Sequence, residues 1–271
     1  MSTARPSGVW ATAVGVARVR ALESERENAL FRDPLAAAFT AAGGLPKVTG
    51  TPPQRWVAVA FSIVIRTRFL DELLAEAMAA GIRQVVLLGA GMDSRAYRLD
   101  WPAKTRFFEV DTAEPLDFKE SVLLAERAEP RCERITVPVD LREDWPTALA
   151  AAGHDPDAPT VWIAEGLLIY LPADAVDRLL GQIGHLSAPG SRMGLTLGSR
   201  GVLERFAQDQ ETAASMWVSE MPEDPIAWLA DLGWTAETFT VRERAAAYGR
   251  PVTVPAAGPQ GPGGLVSAIR R

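Results

Sequence analysis

The 271-residue chain is short of the side chains that usually carry catalysis. It has a single cysteine, Cys132, two histidines, His154 and His185, and three tyrosines. One cysteine excludes an intrachain disulfide framework and points to a reducing compartment. Two histidines with no nearby acid or thiol cluster at ligand spacing argue against a metal centre. His154 falls in the loop "GHDPDAP". His185 ends a helix, where a cation suits the dipole, so both histidines are expected to be structural or exposed. No apolar run reaches the length of a membrane span, and the first ten residues, "MSTARPSGVW", lack the apolar centre of a signal peptide. There is no basic block either. Acids outnumber bases 34 to 28, for a net charge of -6, which disfavours nucleic acid as a partner. The chain reads as a cytoplasmic protein with neither membrane nor nucleic acid among its partners. Its oligomeric state is left open.

What the chain has in quantity is apolar side chains, 48% of residues against 23% charged. That is enough for one large α/β domain, or a core plus a cap. Residues 1–83 read as helical, with Asp33 and Pro34 starting a second helix, Gly43 and Gly44 stopping it, and a longer helix from about Gln54 to Ala80. From Gln84 onward, strands alternate with helices: "QVVLLG", "TRFFEV", "ERITVPV", "TVWIAEG" and "SRMGLTL". Short apolar strands separated by helices predict a parallel sheet covered on both faces. A helical insertion is expected near 199–222. The helix "DPIAWLADLGW" follows, and then the strands "TAETFTV" and "LVSAIR". The glycine-rich link between these last two predicts an antiparallel addition at the sheet edge.

The chemistry concentrates at the strand ends. In "VVLLGAGMDSRAYRL", Gly89 and Gly91 form a tight turn after the first strand, where a ligand approaches the backbone closely. Asp111 ends the second strand about 20 residues on, the usual distance for an acid that accepts from ribose hydroxyls. This pattern serves a nicotinamide dinucleotide as well as S-adenosylmethionine. Ser94 stands where a third glycine would let a helix close on a pyrophosphate, which favours the phosphate-free ligand. Asp140 and Glu165 end the third and fourth strands. Three strand-end acids in one crevice suit a cationic cofactor, whereas one alone would read as a helix cap.

Taken in order, "RTRFLDELL", "VVLLGAGMDSRAYRL", "FFEVD", "VDLR" and "AEGLLIYL" resemble the leucine carboxyl methyltransferase family, and within it the bacterial branch of S-adenosylmethionine-dependent O-methyltransferases common in actinobacteria. The resemblance implies a class I methyltransferase fold: a Rossmann-like sheet of seven strands, the last antiparallel, behind an N-terminal helical cap at 1–83, with the cofactor-binding core at 84–271. It also implies that Gly89 and Gly91 lie under the methionine part of S-adenosylmethionine, that Asp111 takes the ribose, and that Asp140 and Leu141 flank the adenine. Glu165 would then lie beside the amino-acid moiety, with Arg66 on its carboxylate; Arg68 is the alternative, since helix register is not fixed by sequence. Tyr170 is the candidate catalytic residue facing the acceptor. The resemblance implies methyl transfer to oxygen, often that of a carboxylate. The scarcity of bases agrees, because a carboxylate is ionised at pH 7. The expected activity is methyl-ester formation on a small-molecule carboxylate. The alternatives are hydroxyl O-methylation of a natural product, a nicotinamide-dependent oxidoreductase, or a non-catalytic protein of the same fold. Trp10 and Trp217 are candidates for contact with the acceptor.

Overall fold

The computed structural model describes residues 9–45, 51, 53–198, 222–250 and 264–271. The expected insertion near 199–222, Trp217 and the glycine-rich link before the last strand lie wholly or largely outside them.

Seven strands form one mixed sheet: β1 (Gln84–Leu88), β2 (Arg106–Asp111), β3 (Glu133–Pro138), β4 (Thr160–Ala164), β5 (Arg192–Thr196), β6 (Trp234–Phe239) and β7 (Leu265–Arg270). Their order is β3-β2-β1-β4-β5-β7-β6. β1 to β5 are mutually parallel, and β7 runs antiparallel to both of its neighbours. The last strand is therefore the antiparallel one, and with β6 it forms the expected antiparallel addition at the sheet edge. It inserts between β5 and β6, leaving β6 outermost. An antiparallel strand in that slot pairs on both sides, and every residue of β7 has a partner on both β5 and β6 except Arg270, which pairs only with β6.

Alternation along the strands divides the core in two, because successive side chains point to opposite faces. Val85, Leu87, Phe107 and Ile163 face one cluster. Val86, Leu88, Phe108 and Trp162 face the other. The first cluster is covered by α3 (Gln54–Ala79), α5 (Ala113–Ala125) and α9 (Val241–Ala247), the second by α6 (Trp145–Ala151), α7 (Ala173–His185) and α8 (Pro225–Asp231). Trp145, Trp162 and Trp234 are fully buried there. A single-turn helix, α4 (Arg95–Arg98), follows the glycine turn, and a 3-10 turn at Leu168–Tyr170 follows β4.

Before β1, the described residues form helices only. α1 (Trp10–Ser24) and α2 (Ala36–Ala42) pack on each other, while α3 lies on the sheet beneath α1. Asp33 starts α2 by accepting from the Leu35 and Ala36 amides, each at 3.1 Å. Gly81 closes α3 at φ +94°. α1 is anchored to the core by ion pairs: Arg20 to Asp33 at 2.8 Å, and Glu23 to Arg250 at 2.6 Å, all four side chains being buried. Among the described residues, no helix is long and apolar enough to cross a membrane.

Candidate cofactor and acceptor site

The parallel strands all present their carboxyl ends to one edge, where ligands of open α/β sheets bind. Because the spatial order is β3-β2-β1-β4, Asp140, Asp111, the Gly89–Gly91 turn and Glu165 stand in a row along that edge. A cavity of about 690 Å³ opens there, roofed by α1 and one face of α3. Its lining contains Arg66, Gly89, Gly91, Asp111, Asp140, Leu141, Glu165 and Tyr170, all singled out in the sequence, but not the alternative Arg68. A second cleft of about 650 Å³ lies at the opposite, amino-terminal ends of β1, β2 and β5 and contains none of them.

The turn is built for close approach. Gly89 and Gly91 have φ of +66° and +41°, a region L-residues rarely adopt. A Cβ on Gly91 would also stand 2.9 Å from the Ala13 Cβ of α1, so the helix sits directly over the turn. The Gly91 amide donates to Asp111 Oδ2 at 2.7 Å, and the Thr112 amide donates to Oδ1 at 2.8 Å. Each Asp111 oxygen thus keeps a lone pair for a further donor. Burial raises the Asp111 pKa above its ordinary value, and these two amides oppose the rise. Asp140 is more open. Arg142 clasps it at 2.6 Å and holds its pKa below the ordinary value.

At the β4 end, Glu165 is paired on both oxygens. Oε1 meets Arg66 Nε at 3.0 Å, and Oε2 meets Arg95 Nη2 at 2.8 Å. Burial works against its charge, but Arg95 and Arg66 outweigh that and hold the carboxyl below its ordinary value. Gly166 makes room for this arrangement: at φ +64°, it passes so near Arg66 that a Cβ would lie 3.1 Å from Nη2. Of the two arginines left open by the sequence, Arg66 lines the cavity. Arg68, two residues along the helix, stacks over the Tyr248 ring, 5.6 Å from its centroid.

The sequence reading missed Arg95, which organises this end of the site. Its side chain is 1% exposed and touches three carboxylates from three elements. These are Asp71 of α3 at 2.7 Å, Asp93 of the turn at 2.5 Å and Glu165 at 2.8 Å. Arg98 supplies Asp71 with a second pair at 2.7 Å. Asp93 also borders the cavity, and its pKa is lowered to about 2: burial opposes the charge, and Arg95 leads the groups that overcome it. All five residues lie inside the motifs quoted above. Their mutual pairing is a tertiary fact that spacing does not reveal.

Tyr170 reaches the cavity from the 3-10 turn, with its hydroxyl 3.3 Å from Thr12 Oγ1. Trp10 lines the same space, and among the described residues its buried indole Nε1 has no hydrogen-bond partner. The histidines are elsewhere. His154 is buried against Trp162, and that burial lowers its pKa to about 4, so it is neutral. His185 is exposed in the last turn of α7. Among the described residues, no group of three or more His, Cys, Asp or Glu is arranged to hold a metal ion.

The donors and acceptors of the crevice fit S-adenosylmethionine. A half-buried carboxylate, Asp111, keeps lone pairs of the kind ribose hydroxyls require, the glycine turn leaves room beside it, and at the β4 end a cation, Arg66, and an anion, Glu165, offer partners for an amino acid's two charges. The comparisons point the same way. The leucine carboxyl methyltransferase family model matches residues 13–184. A Frankia alni protein provisionally named an S-adenosylmethionine-dependent methyltransferase is 71% identical over 98% of this chain and 96% of its own. A Streptomyces avermitilis protein of the same provisional name is 70% identical, over 98% and 97%. Among solved structures, a Thermobifida fusca protein provisionally named a methyltransferase superposes with TM-score 0.56 at 19% identity, covering 94% of each chain. Magnesium protoporphyrin IX methyltransferase of Synechocystis, solved with bound S-adenosylhomocysteine, gives 0.52 at 13% identity, over 87% of this chain and 94% of its own. These distant structures establish the fold. The family match and the sequence relatives establish the rest: the chain belongs to the leucine carboxyl methyltransferase family, whose cofactor is S-adenosylmethionine.

Proposed function

We propose that the protein is an O-methyltransferase that converts the carboxylate of a small molecule into its methyl ester. One observation carries this reading. Among the described residues, the cavity is lined by no histidine, lysine or cysteine, and the acid nearest the β4 end, Glu165, is paired on both oxygens and held ionised. A phenol or alcohol acceptor would need a base to take its proton, whereas a carboxylate needs none.

S-adenosylmethionine supplies an electrophilic methyl group on a sulfonium. Asp111 would accept from the ribose hydroxyls with its remaining lone pairs, and Asp140 with Leu141 would border the adenine. Arg66 would turn its free Nη atoms to the cofactor's carboxylate, leaving Glu165 to the ammonium. Gly89 and Gly91 let the backbone pass beneath. An acceptor carboxylate oxygen then forms the new O–CH3 bond as the S–CH3 bond breaks, with the electron pair left on sulfur. No proton moves. The protein's share is to position the two reactants and to exclude water, with α1 and one face of α3 as the cover. On this reading Tyr170 orients the acceptor and is not a base.

The test is a paired screen with methyl-labelled S-adenosylmethionine: small carboxylic acids against the alcohols of the same skeleton. Label entering the acids alone supports the ester reading. Label entering only the alcohols would make this a hydroxyl methyltransferase and turn attention to Tyr170.

A further inference from the structure

The residues assigned to the cofactor occupy only one half of the cavity. Much of the other half is a single stripe of α3. Trp56, Val59, Ala60 and Ile63 follow the i, i+3, i+4, i+7 spacing of one helix face, and all four line the cavity. A further turn along that face comes Arg66, at the Glu165 end. No charged residue occurs from Trp56 to Ile65. Trp56, Val59 and Ala60 are only half buried although they face a cavity wall. At about 1.5 Å per residue, the apolar stripe from Trp56 to Ile63 runs roughly 10 Å. Val16 and Val19 of α1 border the same space, so the track is apolar on two sides.

We infer that the acceptor is an elongated apolar monocarboxylic acid, its body lying along the Trp56–Ile63 stripe and its carboxylate at the end where the strand-edge residues begin. The inference rests on the carboxylate reading above and adds the chemistry of the body. A sugar acid or a polyhydroxylated acid would leave its hydroxyls without partners along two helical turns, a cost that apolar carbon avoids. A second carboxylate part-way along the stripe would meet no cation there. The only cationic side chains of the described cavity lining are Arg20, Arg66 and Arg142. Arg20 is already held by Asp33 and the Met92 carbonyl, and Arg142 clasps Asp140. Arg66 is committed to the cofactor's carboxylate on the reading above, so no cation of the described lining is left for a second carboxylate, and a monocarboxylic acid keeps its single charge at the strand-edge end, away from the apolar stripe.

Straight-chain alkanoates from butanoate to dodecanoate provide the test, titrated by calorimetry into the full chain saturated with S-adenosylhomocysteine. Affinity is expected to rise about fourfold per methylene, the equivalent of burying one CH2, and to level off once the chain outruns the stripe. Ala60→Phe narrows the track and moves that plateau to shorter acids, and Val59→Asn flattens the rise. S-adenosylhomocysteine affinity, unchanged in both variants, reports that the fold is intact. The wild-type series decides the matter even if a variant fails to fold. Equal affinity along the series, or gluconate binding as tightly as hexanoate, overturns the apolar body while leaving the ester reading standing. Alkanols that reproduce the length dependence and are methylated where the acids are not overturn the acid and the ester reading together, while leaving the track in place.

Discussion

Replacing Arg95 with methionine removes the one guanidinium that ties the glycine turn to α3 and to the end of β4. Its three carboxylate partners do not lose equally. Asp71 keeps Arg98 at 2.7 Å and Glu165 keeps Arg66 at 3.0 Å, but among the described residues Asp93 has an ion pair with Arg95 alone. Breaking a buried ion pair from one side costs about 3–5 kcal/mol. With two of three partners still compensated, the expected loss is about 3 kcal/mol at pH 7. The pH dependence identifies the cause. In the native protein the Asp93 pKa is depressed from 3.8 to about 2, so its contribution is fully present above the unfolded value and is lost as pH falls through the folded one. At 1.36 kcal/mol per unit this is on the order of 2 kcal/mol, given up between about pH 4 and pH 2. In the variant, burial acts on Asp93 without its main counter-charge, so its pKa rises and that acid-side loss shrinks. Urea titrations of both proteins across pH 2.5–7 measure this directly. A midpoint shift at pH 7 equivalent to less than about 0.5 kcal/mol, or parallel acid limbs in the two proteins, would show that Arg95 is not the organising charge.

The other perturbations act on single contacts. Asp111→Ala removes the acceptor of two backbone amides as well as the proposed ribose partner. Calorimetry should show S-adenosylhomocysteine binding at least tenfold weaker, and the apo protein should also melt lower, as two donors are left without a partner; unchanged binding would mean another acid takes the ribose. Gly91→Ala combines a positive φ with a Cβ placed 2.9 Å from Ala13, so thermal unfolding should show a loss of about 1–3 kcal/mol and a weaker cofactor site; an unaltered melting curve would refute the close approach of α1. His154 has its pKa lowered to about 4 by burial, so the native state binds its proton less readily than the unfolded chain does, and stability should decline as pH falls from about 6.5 toward 4. His154→Asn should remove that part of the slope. Tyr170→Phe should leave the methylation rate within a few-fold of wild type at saturating acceptor, and a loss of three orders of magnitude would make Tyr170 a base.

The strand-and-helix alternation was legible because each parallel strand is a short apolar run, and the strand-end residues Asp111, Asp140 and Glu165 stand at the edge where such runs stop. Their convergence was legible too, since any strand of a parallel sheet delivers its last residue to the same edge. What pattern reading lost was of three kinds. The position of β7 depends on pairing between segments far apart in the chain, and nothing local to "LVSAIR" distinguishes an inserted strand from an edge strand. The helix α9 carried a local signal that went unread: Thr240 and Glu243 form a reciprocal capping box, with the Glu243 amide 3.1 Å from Thr240 Oγ1. Arg95 is a third case. A charged residue within a motif reads as exposed or ligand-binding, and only the fold shows Asp71, Asp93 and Glu165 brought around it by three separate elements.

The central claim is that the methyl group arrives on a carboxylate. Mild alkali applied to the product labelled from S-adenosylmethionine tests it most directly, since a methyl ester is hydrolysed and releases its label as volatile methanol while an aryl methyl ether keeps it. The account predicts that essentially all of the label is released as methanol. Label that stays with the product after such treatment would contradict it.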